Sequence, residues 1–278
     1  GAVEDAMSIS ESLNTHRLAL CQALDEEDGE RLDALLPELR SADIAEILEA
    51  ILEEQADPPR ALALLGRLPL ERRASVLGHL PGDAQLVLAE ALSDERLLAI
   101  LEEMGSDERA DLFNLLDEDR RQRLLRRMAR REREELKRLA SYEEGTAGAI
   151  MTADYVAIPS GMTVSQAMMR VRQTAPDAET VYQLYIVDDQ GRLAGTLSLR
   201  QLMVAPPGEA IDALMIRDVI HVPVDEAQEA VARIVARYDL LALPVVDADR
   251  RLVGIVTHDD AMDVVESEAP EDIHQGMP

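Results

Sequence analysis

Cysteine and aromatic residues are scarce in this sequence. Cys21 is the only cysteine, tryptophan is absent, and there are one phenylalanine and five tyrosines among 278 residues. A single cysteine excludes a disulfide framework and a cysteine-based zinc cluster, and it fits a reducing compartment. The few aromatic rings offer little surface for stacking on nucleic-acid bases.

Basic residues are also scarce. There are 28 Lys and Arg against 55 Asp and Glu, which gives a formal net charge of −27 and a pI near 4.4. Such a charge repels phosphate backbones and attracts cations. We therefore expect no nucleic-acid partner and a cationic counter-species.

Long apolar runs are missing as well. The longest, LLALPVV from Leu240, is far shorter than the roughly 18 residues that span a bilayer. The length favours two domains. The chain begins Gly1-Ala2 without a secretory signal, so we expect a segment of a longer protein.

No catalytic motif is present. The sequence lacks H-E-x-x-H, G-x-S-x-G and a Walker loop, and its histidines are scattered as His16, His79, His221, His258 and His274. We expect that the protein is not an enzyme.

A short helical unit repeats from about Glu38 to Met128. The later copies begin at about twelve-residue intervals, at Pro69, Pro81, Ser93, Ser106 and Asp117, and each opens with a helix N-cap residue or a proline. Helices of about ten residues are unstable alone and must stack on their neighbours. The sequence therefore predicts an all-α superhelical array, used either as a scaffold or as a regulatory surface.

Arg120 to Arg138 contains ten of the basic residues and predicts one longer helix that leaves the array. A nucleic-acid or membrane patch is disfavoured because Glu132, Glu134 and Glu135 interrupt it. A solvated face, or one attracted to the acidic remainder of the chain, is the preferred interpretation.

A second repeat follows Tyr142. LYIVDDQGRLAGTLSLRQLM aligns with LPVVDADRRLVGIVTHDDAM, and IMTADYVAIPSGMTVSQAMMRV aligns with LMIRDVIHVPVDEAQEAVARIV. Each copy reads as a strand, an amphipathic helix, two strands around Gly195 or Gly254, and a last helix. The second half is therefore predicted to be β-α-β-β-α, twice.

The stretch from Thr257 to Gln275 has seven carboxylates and no Lys or Arg. Like charges three or four residues apart on a helix repel, so a cation is expected to neutralise them. Asp107 and Asp111 form another such pair on one helix face. Mg²⁺ prefers oxygen ligands and usually takes one or two carboxylates, which makes these residues candidate ligands.

These motifs resemble a known family. The Met-Thr-x-x-x-Val opening and the Ser/Thr-x-x-Asp ending look like tandem CBS domains, and SYEEGTAGAIMT, APDAETVYQLYIVD and EAPEDIH in this order resemble MgtE-type magnesium transporters. The resemblance implies a helical domain over 1–138, CBS domains over 139–208 and 209–270, and the start of a connection to a membrane pore over 271–278. It also implies a place on the cytoplasmic face of the membrane.

By the same resemblance, Mg²⁺ ligands come from three groups of carboxylates. Asp107 and Asp111 would face the second CBS domain with Asp260 opposite. Glu229 and Asp239 would collect Mg²⁺ around a CBS homodimer, and Glu268, Glu271 and Asp272 would lie near the pore. Asp263, one helical turn from Asp260 in the acidic stretch, is a further candidate ligand from its charge. Ala227 and Ser75 replace acidic residues that the family can carry, so fewer or differently arranged sites are expected.

Many CBS pairs bind adenine nucleotides through the Asp of Ser/Thr-x-x-Asp. Here Gln201 replaces that residue in the first repeat, and Gln183 stands where an aromatic ring could stack on adenine, so nucleotide binding is doubtful. The expected function is a Mg²⁺-sensing gate that closes the pore when Mg²⁺ bridges the helical and CBS domains. The alternative is a free-standing CBS adaptor that senses adenylates or recruits a partner protein.

Overall fold

A computed structural model of the chain describes residues 15–26, 28–55 and 57–268. Contacts between residues divide the chain into two units. The first contains residues 1–104 and 111–133, and the second contains residues 105–110 and 134–278. Residues 105–110 therefore group with the second unit by their contacts.

The first unit is built of short helices. They are α1 (15–25), α2 (Gly29–Leu35), a 3-10 turn (Leu36–Glu38), α3 (Ser41–Gln55), α4 (Pro58–Leu65), α5 (Leu70–Gly78), α6 (Gly82–Ala91), α7 (Asp94–Glu103) and α9 (Glu118–Arg127). Two more helices, α8 (Ser106–Leu115) and α10 (Arg130–Leu139), have residues in both units.

Helices of the first unit pack on their second neighbours along the chain. Helix α3 packs on α5, α5 on α7, and α7 on α9, while α4 packs on α6. Leucines such as Leu48, Leu77 and Leu97 lie fully buried between them. Since no ten-residue helix is stable alone, this shared aliphatic core holds the array together.

Two of the residues that open the predicted repeats, Ser93 and Asp117, cap the helices that follow them. The Ser93 hydroxyl accepts a hydrogen bond from the Arg96 N–H at 3.3 Å, and the Asp117 carboxylate accepts one from the Arg120 N–H at 2.9 Å. Each bond satisfies an N–H group that the first turn leaves without a partner inside the helix.

The prediction of one long basic helix over Arg120–Arg138 was wrong. The segment forms two helices, α9 and α10, separated at Met128, which is buried and extended. Leu92 ends α6 and Met104 ends α7 in the same extended conformation, so the apolar residue that closes each of these repeats also breaks this segment.

The basic side chains of α9 are largely paired within the first unit. Arg120, only 6% exposed, and Arg123 both bind the carboxylate of Asp94, at 3.2 Å and 2.8 Å. The Asp94 pKa is lowered, first by its hydrogen bond with Arg123. These contacts show that the cluster of arginines stabilises the packing of α7 against α9.

The second unit contains two three-stranded sheets. Their strands and helices are α11 (Ala147–Ile150), β1 (Tyr155–Pro159), α12 (Val164–Thr174), β2 (Thr180–Val187), β3 (Leu193–Ser198), α13 (Leu199–Val204), α14 (Ile211–Leu214), β4 (Val222–Pro223), α15 (Gln228–Tyr238), β5 (Ala242–Val246), β6 (Leu252–Thr257) and α16 (His258–Glu268). The orders are β1-β2-β3 and β4-β5-β6, each with a parallel pair followed by an antiparallel pair.

Each repeat completes the sheet of the other. Thr152, before β1, exchanges two backbone hydrogen bonds with Ile255 in β6, and Ile216, before β4, exchanges two with Thr196 in β3. These bonds cover the outer edges of β3 and β6, where unpaired backbone groups would otherwise be exposed. The two repeats thus form one folding unit.

Candidate metal-responsive acidic cluster

Asp107 and Asp260, the two strongest candidates from the sequence, lie close together within the second unit. The negative charge of Asp107 acts on Asp260, and the charge of Asp260 acts on Glu179. A methyl group built on Gly105 would lie 3.1 Å from Oδ1 of Asp107 and 3.7 Å from Oε2 of Glu179. Several carboxylates therefore surround one small volume.

Asp260 is held by the start of α16. The Thr257 hydroxyl donates a hydrogen bond to Oδ2 of Asp260 at 2.5 Å, and the Asp260 N–H donates one to the Thr257 hydroxyl at 3.3 Å. Burial raises the pKa of Asp260 to about 6; the Thr257 bond opposes the rise, and the charges of Asp107 and Asp263 add to it.

Asp107 lies in the first turn of α8. Burial raises its pKa to about 6, hydrogen bonds from the N–H groups of Asp107 and Glu108 oppose the rise, and the charges of Glu179 and Asp154 add to it. The ionised form is thus disfavoured by loss of water and by neighbouring charge of the same sign. A cation placed here would relieve both effects.

Glu179 was missed by the sequence analysis. It directly precedes β2, and its side chain keeps contact with solvent. Partial burial of its carboxyl, and then the charges of Asp260, Asp154 and Asp259, raise its pKa. We call Asp107, Asp154, Glu179, Asp259 and Asp260 the acidic cluster.

A hydrogen-bond network joins Ser106 to the segment before β1. The Ser106 N–H donates to Oδ2 of Asp154 at 2.9 Å, and the Ala153 N–H donates to the Ser106 hydroxyl at 2.8 Å. The hydroxyls of Ser106 and Thr152 lie 3.0 Å apart, and both residues are buried. This network fixes the turn that carries Asp107.

The remaining predicted ligands are more dispersed. Asp111 is exposed on α8 and groups with the first unit, while Asp263 is exposed on α16 and acts electrostatically on Asp260. Glu229 lies in the first turn of α15, and Asp239 ends that helix with a left-handed φ of 51°. Among the described residues, no hydrogen bond or ion pair involves the side chain of Glu229 or Asp239.

Three predicted ligands fall at the end of the chain. Glu268 is the last residue of α16, whereas Glu271 and Asp272 lie outside the described residues. Within the described part of the chain, no group of three or more His, Cys, Asp or Glu side chains has the arrangement of a preformed metal site. No helix there is long and apolar enough to cross a membrane.

The two glutamines that make nucleotide binding doubtful are both engaged. Gln201 and Ser198 form a reciprocal capping box at the start of α13, with bonds of 2.9 and 3.0 Å. The Gln183 amide donates a hydrogen bond to the Thr196 hydroxyl. Neither side chain offers the carboxylate or the ring that the nucleotide interpretation requires.

Comparison with known proteins identifies both halves of the chain. Residues 39–145 match the MgtE intracellular N domain, and residues 147–208 and 211–267 match the CBS domain. A crystal structure described as the cytosolic domain of the Mg²⁺ channel MgtE in complex with ATP is 41% identical, with a TM-score of 0.82 over 89% of this chain and 99% of that one. The chain belongs to the MgtE family.

A second MgtE-like structure, the soluble part of a magnesium transporter, is 31% identical and gives a TM-score of 0.81 over 93% of this chain and all of that one. The magnesium transporter MgtE of Thermus thermophilus is 53% identical over 141 residues, which are 51% of this chain and 31% of that protein. The MgtE of Enterococcus faecalis is 45% identical over 138 residues, or 50% of this chain and 30% of that protein. The chain thus spans less than a third of these curated relatives.

For this MgtE-family chain, the predicted fold class is confirmed: a helical array is followed by a tandem CBS pair. Three residues of the acidic cluster, Asp154, Glu179 and Asp259, were left out of the ligand predictions. Asp154 lies in the MTADY segment, and Glu179 lies in APDAETVY.

Proposed function

We propose that this chain is the cytosolic Mg²⁺-sensing region of an MgtE-type magnesium transporter, and that it closes the attached pore when Mg²⁺ is abundant. The observation that carries the proposal is the pair Asp107 and Asp260, whose pKa values are both raised to about 6 by burial and by like charge. Mg²⁺ bound there would favour the contact, and its loss would leave the carboxylates to repel.

The residues present fit this ion. Mg²⁺ is a hard cation that keeps several waters and binds proteins through one or two carboxylates. Asp107 and Asp260 supply two such oxygen donors, and Glu179 adds negative charge nearby. Because a hydrated ion needs few protein ligands, a small carboxylate group is sufficient to respond to it.

Several weak sites would have to act together. Moving a two-state equilibrium from about 1:99 to 99:1 requires a differential binding free energy of about 5.5 kcal/mol. We propose that the other predicted carboxylates contribute to this total, namely Asp111, Glu229, Asp239, Asp263, Glu268, Glu271 and Asp272. The array would then act as a regulatory surface rather than as a scaffold.

A Mg²⁺ titration of the chain tests the proposal. Amide hydrogen exchange of residues 105–110 should slow with millimolar Mg²⁺, and the radius of gyration from small-angle scattering should fall. NaCl of equal ionic strength is the control, because screening alone would act on distant charges as well. Identical exchange and scattering with and without Mg²⁺ would refute the sensing role.

We also propose that the chain acts as a homodimer through its CBS helices. Large apolar side chains are exposed on four helices of the second unit, namely Met169, Met203, Val204, Tyr238 and Val265. Apolar surface of this kind is typical of an interface. Sedimentation at tens of micromolar protein should show a dimer. The double variant Met203→Asp, Val204→Asp should dissociate it. A monomeric wild-type chain would contradict the proposal.

The names of the relatives support a transporter-associated, non-catalytic role over an independent adaptor. We propose that the pore, and with it a place on the cytoplasmic face of the membrane, comes from a part of the protein corresponding to the length of those relatives that this chain does not span. The relative solved with ATP makes adenine nucleotide the ligand to test next. The glutamines at positions 183 and 201 lead us to propose that this chain binds it weakly.

A further inference from the structure

We propose that Asp154 is a positioning residue. Its carboxylate caps helix α8 from outside the helix. Together with Ser106 it forms a latch that places Asp107 beside Asp260 in the absence of metal. The latch consists of Ser106, Thr152, Ala153 and Asp154. This inference deepens the proposed function and rests on it for the Mg²⁺ response. The latch itself depends only on hydrogen bonds within the second unit.

The carboxyl group of Asp107 accepts the N–H groups of Asp107 and Glu108 in the first turn of α8, but the Ser106 N–H needs another partner. The residue before its first turn is Gly105, whose carbonyl accepts the Arg109 N–H at 2.9 Å but which has no side chain to accept another bond. The first N–H groups of a helix need partners from outside it. Oδ2 of Asp154 takes this role for the Ser106 N–H at 2.9 Å.

Helices α7 and α8 contain the same four-residue sequence near their starts, but their first N–H groups are capped differently. SDER occurs at both Ser93–Arg96 and Ser106–Arg109. In the first copy the serine hydroxyl caps its own helix by accepting the Arg96 N–H. In the second copy the Ser106 hydroxyl accepts the Ala153 N–H at 2.8 Å instead, and a residue 48 positions away provides the cap.

The latch opposes the repulsion within the acidic cluster. The charges of Asp154 and Glu179 raise the pKa of Asp107, so the turn is held by the same carboxylate that repels its neighbour. A hydrogen bond from a backbone N–H to an ionised carboxylate is among the stronger ones. Mg²⁺ would therefore act on a turn that is already docked rather than recruit a free one.

Two substitutions at position 154 separate the hydrogen bond from the charge. Asp154→Asn keeps an oxygen that can accept the Ser106 N–H, whereas Asp154→Ala removes it. Ser106→Ala is an independent variant that removes the partner of the Ala153 N–H and the contact with the Thr152 hydroxyl, but leaves the Ser106 N–H and Asp154 in place. Asp218→Ala is the matched control, because Asp218 occupies the same position in the second repeat and is exposed.

The measurement is amide hydrogen exchange of the whole chain, in EDTA and across a Mg²⁺ titration. In EDTA, Asp154→Ala should speed exchange over 105–110 by about tenfold or more, since a buried N–H loses its partner. Ser106→Ala should speed exchange at Ala153 by a similar factor. Asp154→Asn should stay within about threefold of the wild type, and Asp218→Ala should match it.

The second measurement is the Mg²⁺ concentration at the midpoint of the change in exchange over 105–110. Asp154→Ala should move it to higher Mg²⁺, while Asp154→Asn should leave it unchanged or lower it by removing a repelling charge. Equal upward shifts in both variants would make Asp154 a metal ligand and overturn the positioning role. Wild-type exchange in Asp154→Ala and Ser106→Ala would overturn the latch, whereas a latch effect without any Mg²⁺ response would leave it standing and refute the proposed function.

Unfolding of a variant is detected in the same data. Exchange in β2 and β5 should remain at the wild-type rate, because neither strand contacts the latch side chains through a hydrogen bond in the described structure. If Asp154→Ala fails this check, Ser106→Ala alone decides the outcome at Ala153.

Discussion

Asp260→Asn should make docking of residues 105–110 nearly independent of Mg²⁺. The substitution keeps the size of the side chain and removes its charge. In the wild type at pH 7.5 the ionised carboxylate is disfavoured, because its pKa is raised to about 6 from 3.8. The neutral amide avoids that penalty, and its oxygen can still accept the hydrogen bond from the Thr257 hydroxyl.

The magnitude follows from the shift in pKa. Each unit corresponds to about 1.4 kcal/mol, so a change from 3.8 to about 6 corresponds to at most about 3 kcal/mol. Asp260 retains some contact with solvent and shares its repulsion with Asp107, which reduces the gain to about 1–2 kcal/mol. Exchange over 105–110 in EDTA should therefore slow by about five- to thirtyfold.

The assay is hydrogen exchange at pH 7.5 in EDTA and in saturating Mg²⁺. We expect Asp260→Asn in EDTA to resemble the wild type in Mg²⁺, with little further change when Mg²⁺ is added. Asp189→Asn makes the same change of charge at an exposed hairpin turn and should behave as the wild type does. Faster exchange in Asp260→Asn than in the wild type in EDTA would refute the repulsion argument.

Three further predictions follow from the same structure. Lowering the pH from 7.5 to 5 in EDTA should raise the protection factor over 105–110, which is the exchange rate of an unfolded chain divided by the observed rate at the same pH. The reason is that Asp107 and Asp260 take up protons near pH 6 in the folded chain but only near 3.8 when unfolded; the stabilisation should appear as pH falls through 6 and be complete below about 4. Gly254→Ala should lower stability by about 1–3 kcal/mol in thermal unfolding, because the new methyl group would overlap Met151, whereas Gly208→Ala has open space and should be tolerated. Calorimetry should detect weak or no binding of ATP or AMP, and Gln201→Asp should strengthen any binding that remains.

The order of the elements was predictable because local signals agree with the fold. Alternation of apolar residues, the glycines at 195 and 254, and the caps at Ser93 and Asp117 all specify structure over a few residues. The break at Met128 was missed because a basic amphipathic pattern continues across it in the sequence. In the structure Met128 is buried in an extended conformation, which depends on tertiary packing and not on the local pattern.

The acidic cluster was only partly predictable for a different reason. Asp107 and Asp260 stand out as members of acidic runs, whereas Asp154 is a single carboxylate among its neighbours and Glu179 has only Asp177 beside it. Their role depends on the loops before β1 and β2 meeting the start of α8. Ser106 illustrates the limit, since its SDER sequence is identical to the one that begins at Ser93 and its hydrogen bonds are not.

Each repeat pairs with the open strand edge of the other, and this has a consequence for the origin of the tandem repeat. A lone repeat would present the segment before its first strand and the open edge of its last strand, which are complementary surfaces. Two copies of such a repeat would satisfy both by pairing edge to edge, as Thr152 with Ile255 and Thr196 with Ile216 do here. Joining the two copies in one chain lets the matching positions differ, as Gln201 and Asp260 do here.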